Sequence, residues 1–134
     1  MRRISQLLLM SAAALSLAAF SPSLADAQQV GAKDIGGVVT GPSGPEAGVW
    51  VIAETSDLPT KYRKIVVTDD NGRYVIPDLP KANYKVWVRG YGLVDSSPVT
   101  AGPGKTLVLT AVIAPNPRAA AQYYPANYWY SLIF

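Results

Sequence analysis

From Ile35 onward, apolar and polar residues alternate with a period of two, and no stretch of a dozen residues carries the 3.6-residue spacing of an amphipathic helix. The alternation predicts strands over Ile35–Thr40, Val49–Thr55, Lys64–Thr68, Arg73–Ile76, Tyr84–Arg89, Pro98–Ala101 and Thr106–Ile113. The same period assigns faces. Tyr84, Val86 and Val88 share one side of their strand, with Lys85, Trp87 and Arg89 on the other. Val49, Val51 and Ala53 oppose Trp50, Ile52 and Glu54, and apolar residues on both sides mark a central strand, or one partly covered by the C-terminal tail.

Between these runs stand clusters that turn the chain. Gly41-Pro42-Ser43-Gly44-Pro45 cannot continue a ladder, because proline has no amide to donate. Asp69-Asp70-Asn71-Gly72 ends in an Asn-Gly pair that tolerates the positive φ angles of a tight hairpin. Leu79–Asn83 and Gly102-Pro103-Gly104 are further turns. The resulting expectation is all-β: a seven-stranded antiparallel Greek-key β-sandwich over residues 35–114. A length of 134 residues, with 49% apolar and 16% charged, fits one such domain and leaves no room for a second full-sized core.

Residues 1–27 follow a different rule. Arg2 and Arg3 form a positive start, Leu7 to Phe20 an apolar run, and Ala25-Asp26-Ala27 a small-x-small site before Gln28, the order of a secretory signal peptide. The apolar run is shorter than the roughly 20 residues that span a bilayer, and Ser21-Pro22-Ser23 stops its helix. The expectation is a cleaved N-terminal signal helix, a polar lead-in at 28–34, and a secreted or periplasmic product that meets the membrane only during export. Cleavage would remove Arg2, Arg3 and Asp26 from 12 basic and 9 acidic residues, leaving 10 and 8. The remaining positive charges are scattered from Lys33 to Arg118, so no phosphate-tracking surface and no nucleic-acid partner is expected.

Candidate chemistry is thin. The sequence has no cysteine and no histidine, which excludes thiolate or imidazole zinc sites, c-type haem attachment, disulfides, and every Ser–His or Cys–His pair. Counted as a calcium loop from Asp69, the twelfth position is Pro80 where a glutamate is needed. Gly104-Lys105-Thr106 resembles the end of a phosphate-binding loop, but the motif's first glycine would fall on Val99 and no helix follows. No catalytic residue, metal or cofactor is expected.

Certain residues carry a resemblance. Gly37-Val38-Val39-Thr40 is followed by Gly44-Pro45-Glu46-Ala47-Gly48-Val49-Trp50-Val51 and then by Thr68-Asp69-Asp70-Asn71-Gly72-Arg73-Tyr74 through Leu79-Pro80. Asn83-Tyr84-Lys85-Val86-Trp87-Val88 and Gly90-Tyr91 complete the set. The segment resembles the carboxypeptidase regulatory-like domain, a transthyretin-like or prealbumin-like sandwich. The resemblance implies that Gly72 turns a hairpin, that Tyr74 and Tyr84 send rings into or across the sandwich, and that Leu79 plugs one end. Ala82-Asn83 stands where the family carries glycine, and asparagine is the next best residue for a left-handed conformation. The fold's purine-breakdown hydrolase needs histidines and a C-terminal peptide that this chain lacks.

The tail, 115–134, is rich in proline and aromatics. Pro115-Asn116-Pro117 ends the last strand and Arg118 to Gln122 fit one helical turn. Tyr123, Tyr124, Tyr128, Trp129 and Tyr130 then form a dense aromatic run, with Trp87 a candidate neighbour on the sandwich. Packing against the sandwich or another domain is the first reading of that run; stacking on a sugar ring is the second. Alternation of Tyr128, Tyr130, Leu132 and Phe134 resembles a barrel-assembly signal, although no barrel strands precede it. The aromatic ending reads as an interrupted linker to a missing C-terminal domain. The expected function is an exported, non-catalytic structural or interaction module for a protein partner or downstream domain, with carbohydrate binding as the alternative.

Overall fold

Inward residues of one parity are mostly apolar in the long strands, Thr55 and Lys64 being the polar exceptions, so two sheets can close on each other and exclude water. The computed structural model describes residues 29–133. Its strands are β1 (Ile35–Gly41), β2 (Gly44–Pro45), β3 (Trp50–Thr55), β4 (Tyr62–Val67), β5 (Arg73–Ile76), β6 (Tyr84–Arg89), β7 (Leu93–Val94), β8 (Val99–Ala101), β9 (Thr106–Thr110) and β10 (Val112–Ile113), followed by helices α1 (Pro117–Ala121) and α2 (Ala126–Ser131). The expected signal helix lies outside the described residues.

One sheet is ordered β4-β3-β6-β8 and is antiparallel throughout. In the other, β1 pairs antiparallel with β2 and β5 and parallel with β9, while β7 and β10 form a small ladder of their own. The fold is the expected all-β sandwich. Its register differs in the parallel β1–β9 pair, which the sequence alternation does not distinguish from an antiparallel one. The predicted strand Thr106–Ile113 divides at Ala111, whose amide still donates to the Thr40 carbonyl of β1 at 2.8 Å, while Val112 and Ile113 pair with β7 instead.

The core lies between the sheets. Val39, Val51, Val86, Val88, Ile35, Ile76 and Tyr84 are fully buried there, each aliphatic side chain contributing about 1.5–3 kcal/mol. Tyr74 stands opposite Gly37 on β1 and its hydroxyl donates to the Leu107 carbonyl at 3.2 Å, so the ring passes over Gly37. The Tyr84 hydroxyl donates to the Pro80 carbonyl at 2.6 Å. Burial raises the pKa of both phenols, with Tyr62 adding to the effect at Tyr84. Leu79 closes the end of the sandwich, 3% exposed, with its amide on the Lys33 carbonyl.

Two turns depart from expectation. The Asp69–Gly72 segment is not a hairpin within one sheet: it carries the chain from β4 in one sheet to β5 in the other. Asp69 Oδ1 accepts from the amides of Asn71 and Arg73, and only Gly72 takes a positive φ, 73°. Asn83 does not adopt a left-handed conformation either. Asp78 does, at φ 55°, fixed by its amide bond to Asp34 Oδ1.

Candidate functional site

The outer face of the β4-β3-β6-β8 sheet is where the sandwich is least finished. Cross-strand register places Trp50, Ile52 and Glu54 of β3 beside Val67, Ile65 and Arg63 of β4, and beside Arg89, Trp87 and Lys85 of β6. The charged end closes on itself through Glu54, which pairs with Arg63 and with Lys61 at 3.2 Å. Partial desolvation pushes the Glu54 carboxyl up, but those two cations outweigh it and hold it below its ordinary value. The apolar end stays open, with Ile65 52% and Val67 57% exposed.

Ile52 explains how the tail is used. It points away from the core, yet it is only 2% exposed. The chain returns after β10 to cover it. Asn116 caps α1 by accepting from the Ala119 amide at 2.9 Å and Pro117 takes the first helical position, the pairing that starts a short helix. Gln122, Tyr123, Tyr124, Pro125 and Asn127 then wall a cleft of about 440 Å³ against Trp50, Ile52, Ile65 and Arg89.

Two sets of contacts hold the tail. Arg89 grips Asp95 with two bonds of 2.8 and 2.7 Å and lies 5.7 Å from the centre of the Tyr123 ring. The Asp95 bond raises the already high pKa of the guanidinium, so its charge over the ring is permanent. The second set is a run of edge-to-face rings: Trp50–Tyr91 at 5.2 Å, Tyr91–Tyr124 at 4.9 Å, Tyr124–Tyr128 at 4.6 Å and Tyr128–Trp129 at 5.2 Å. The Tyr124 hydroxyl also accepts from the Gly92 amide at 3.2 Å.

Of the expected residues, Tyr123, Tyr124, Tyr128 and Trp129 therefore meet on one surface. Tyr130 stands apart, 66% exposed. Trp87 shares the sheet face with Ile52 but makes no ring contact with the tail among the described residues, and its buried indole nitrogen has no partner. Trp50 and Tyr91 complete the surface and were missed as site residues; the apolar side of β3 opposite the core was the signal for Trp50. Tyr128, Tyr130 and Leu132 lie on and just after a helix, so their alternation does not make one face. Phe134 lies outside the described residues. Neighbouring rings meet at up to 84°, so the surface is ridged and not a flat platform.

Among the described residues, no three Asp or Glu side chains converge on a metal-sized site, and no helix is long and apolar enough to cross a membrane. The strands define an all-β sandwich domain. The chain belongs to the carboxypeptidase regulatory-like domain family, whose model matches residues 34–114; these are regulatory, non-catalytic domains. A crystal structure of a Pseudomonas aeruginosa protein proposed to bind carbohydrate is similar at a TM-score of 0.39 and 21% identity, covering 64% of this chain and 92% of that one. No curated protein matches the sequence.

Proposed function

We propose that this chain is an exported, non-catalytic interaction module that docks a protein partner, or a further domain of a longer chain, on the aromatic outer face of its β4-β3-β6-β8 sheet. One observation carries the reading: Ile65, Val67, Tyr91 and Trp129 are each 46–57% exposed on or beside one surface that the tail has already begun to cover. Apolar surface grouped in this way marks an interaction site. The leader fits a secreted or periplasmic location, in which mature chains would begin at Gln28.

Photo-crosslinkers placed at Val67 and at Lys81, the latter near the opposite end of the sandwich, test the docking face in the native compartment. Adducts of one defined mass at Val67, absent at Lys81 and lost in Trp50→Ala, are expected. Equal labelling at both positions would refute the assignment.

The second reading, carbohydrate binding, is favoured by the cleft itself. Trp50 and Tyr124 offer π-faces, while the Gln122 and Asn127 carboxamides have no partner among the described residues. Titration calorimetry with neutral oligosaccharides separates the two: heat that disappears in both Trp50→Ala and Asn127→Ala supports a sugar, and its absence leaves the protein partner.

A further inference from the structure

Among the described residues, the edges at β4, β8 and β2 are guarded. β4 carries Arg63 and Lys64, and the Lys64 ammonium bridges to the Pro77 carbonyl beside β5. β8 has only three residues and follows Pro98, while β2 has two. Short strands, charges and prolines are the usual means of keeping an edge from pairing with another chain. β9 has none of them. Its five residues, Thr106-Leu107-Val108-Leu109-Thr110, are uncharged and pair with β1 on one side alone.

Those residues also read the same in both directions. In the parallel ladder, the odd-numbered positions of β9 face β1: the Lys105 carbonyl accepts from Gly36 and the Ala111 amide donates to Thr40. The backbone groups of Thr106, Val108 and Thr110 therefore point outward, and they have no partner among the described residues. These three positions are symmetric about Val108, whose side chain is 72% exposed.

We infer that the chain forms a two-fold dimer by antiparallel pairing of β9 with β9 of a second copy, centred on Val108. Val108 then faces Val108, and each Thr106 faces a Thr110, the three pairs exchanging both of their backbone bonds. Threonine pairs across antiparallel strands are favourable, and no like charges meet, because Lys105 falls opposite Ala111. The contact is isologous and closes on itself, so it does not propagate into a fibre. A five-residue ladder hides less than the ~1,000 Å² typical of a standing interface, so the dimer forms only as concentration rises. Leu107 and Leu109 stay in their own sandwich, packed at the core.

Sedimentation of the full chain from micromolar to millimolar concentration, with residue-resolved amide exchange at both ends of the range, tests this. The expected result is a shift from monomer to dimer with slowed exchange at Thr106, Val108 and Thr110, while Leu107 and Leu109 exchange slowly at every concentration. Val108→Lys sets two like charges together at the axis and should abolish both changes without altering the circular dichroism of the fold. The wild-type exchange pattern stands without that variant should it misfold. A monomer across the whole range, or a dimer in which those three amides still exchange freely, overturns the proposal.

Discussion

Replacing Tyr124 by alanine tests whether the tail is a docked element or a loose appendage. The ring sits 4.9 Å from Tyr91 and 4.6 Å from Tyr128, and its hydroxyl accepts the Gly92 amide. Aromatic pairs contribute about 0.5–1.5 kcal/mol each beyond their area, and a net hydrogen bond about as much. Tyr91 is 56% exposed, which favours the lower half of these ranges. The loss is then about 1.5–3 kcal/mol, or roughly a 10- to 150-fold fall in the docking equilibrium constant. Tyr124→Phe removes the hydroxyl alone and should cost about 0.5–1.5 kcal/mol. Hydrogen exchange over 117–133 reads the effect directly, and Trp50 and Trp129 fluorescence reports it independently. Only the folded sandwich can dock the tail, so its stability should fall by no more than this docking loss, and no tail residue belongs to its main core. Unchanged exchange in the tail of Tyr124→Ala, or a fall in global stability larger than the loss of docking, would refute this account of how the tail is held.

Gly37→Ala should be far more damaging than its size suggests. At φ 152° an added Cβ would lie 1.8 Å from the Leu107 carbonyl oxygen, and a loss of at least ~3 kcal/mol is expected in urea unfolding. Thr68→Val strips the hydroxyl that donates to the Glu46 carbonyl and accepts the Val49 amide, leaving buried backbone groups unpaired at a cost of about 1–3 kcal/mol by the same measurement. Acid should weaken the fold through Asp69, whose carboxyl is held below its ordinary value by the Arg73 and Asn71 amides and the Arg73 guanidinium, and through Glu54. Both groups bind protons less readily folded than unfolded, so their contribution is complete above the ordinary carboxylate pKa and fades as pH falls through the folded one. Asp69→Asn should flatten that part of the stability–pH curve.

Alternation was enough to find the core. Tyr84, Val86 and Val88 on one strand, and Val49, Val51 and Ala53 on another, all point inward as their parity requires. Ile52 shows both what parity can and cannot reveal. Its position opposite the core pointed to a covered strand, but the covering element, two helices of five and six residues, is too short to leave a helical period. Pairing direction was not legible either, since parallel and antiparallel neighbours place side chains with the same period. The Asp69–Gly72 turn was recognised by its residues, but whether a turn returns within a sheet or crosses between sheets depends on distant packing. Asp78, and not Asn83, takes the left-handed conformation because the Asp34 carboxylate captures its amide, a partner 44 residues away.

The shared direction of β1 and β9 sets how this module responds to force. The chain enters the sandwich at one pole, beside Gly104, and leaves the last long strand at the other, beside Gly41. Tension between neighbours on either side would draw the two strands past each other along their length, so their cross-links yield together and not one at a time. Built into a string of domains, the module would behave as a stiff link that resists stretching.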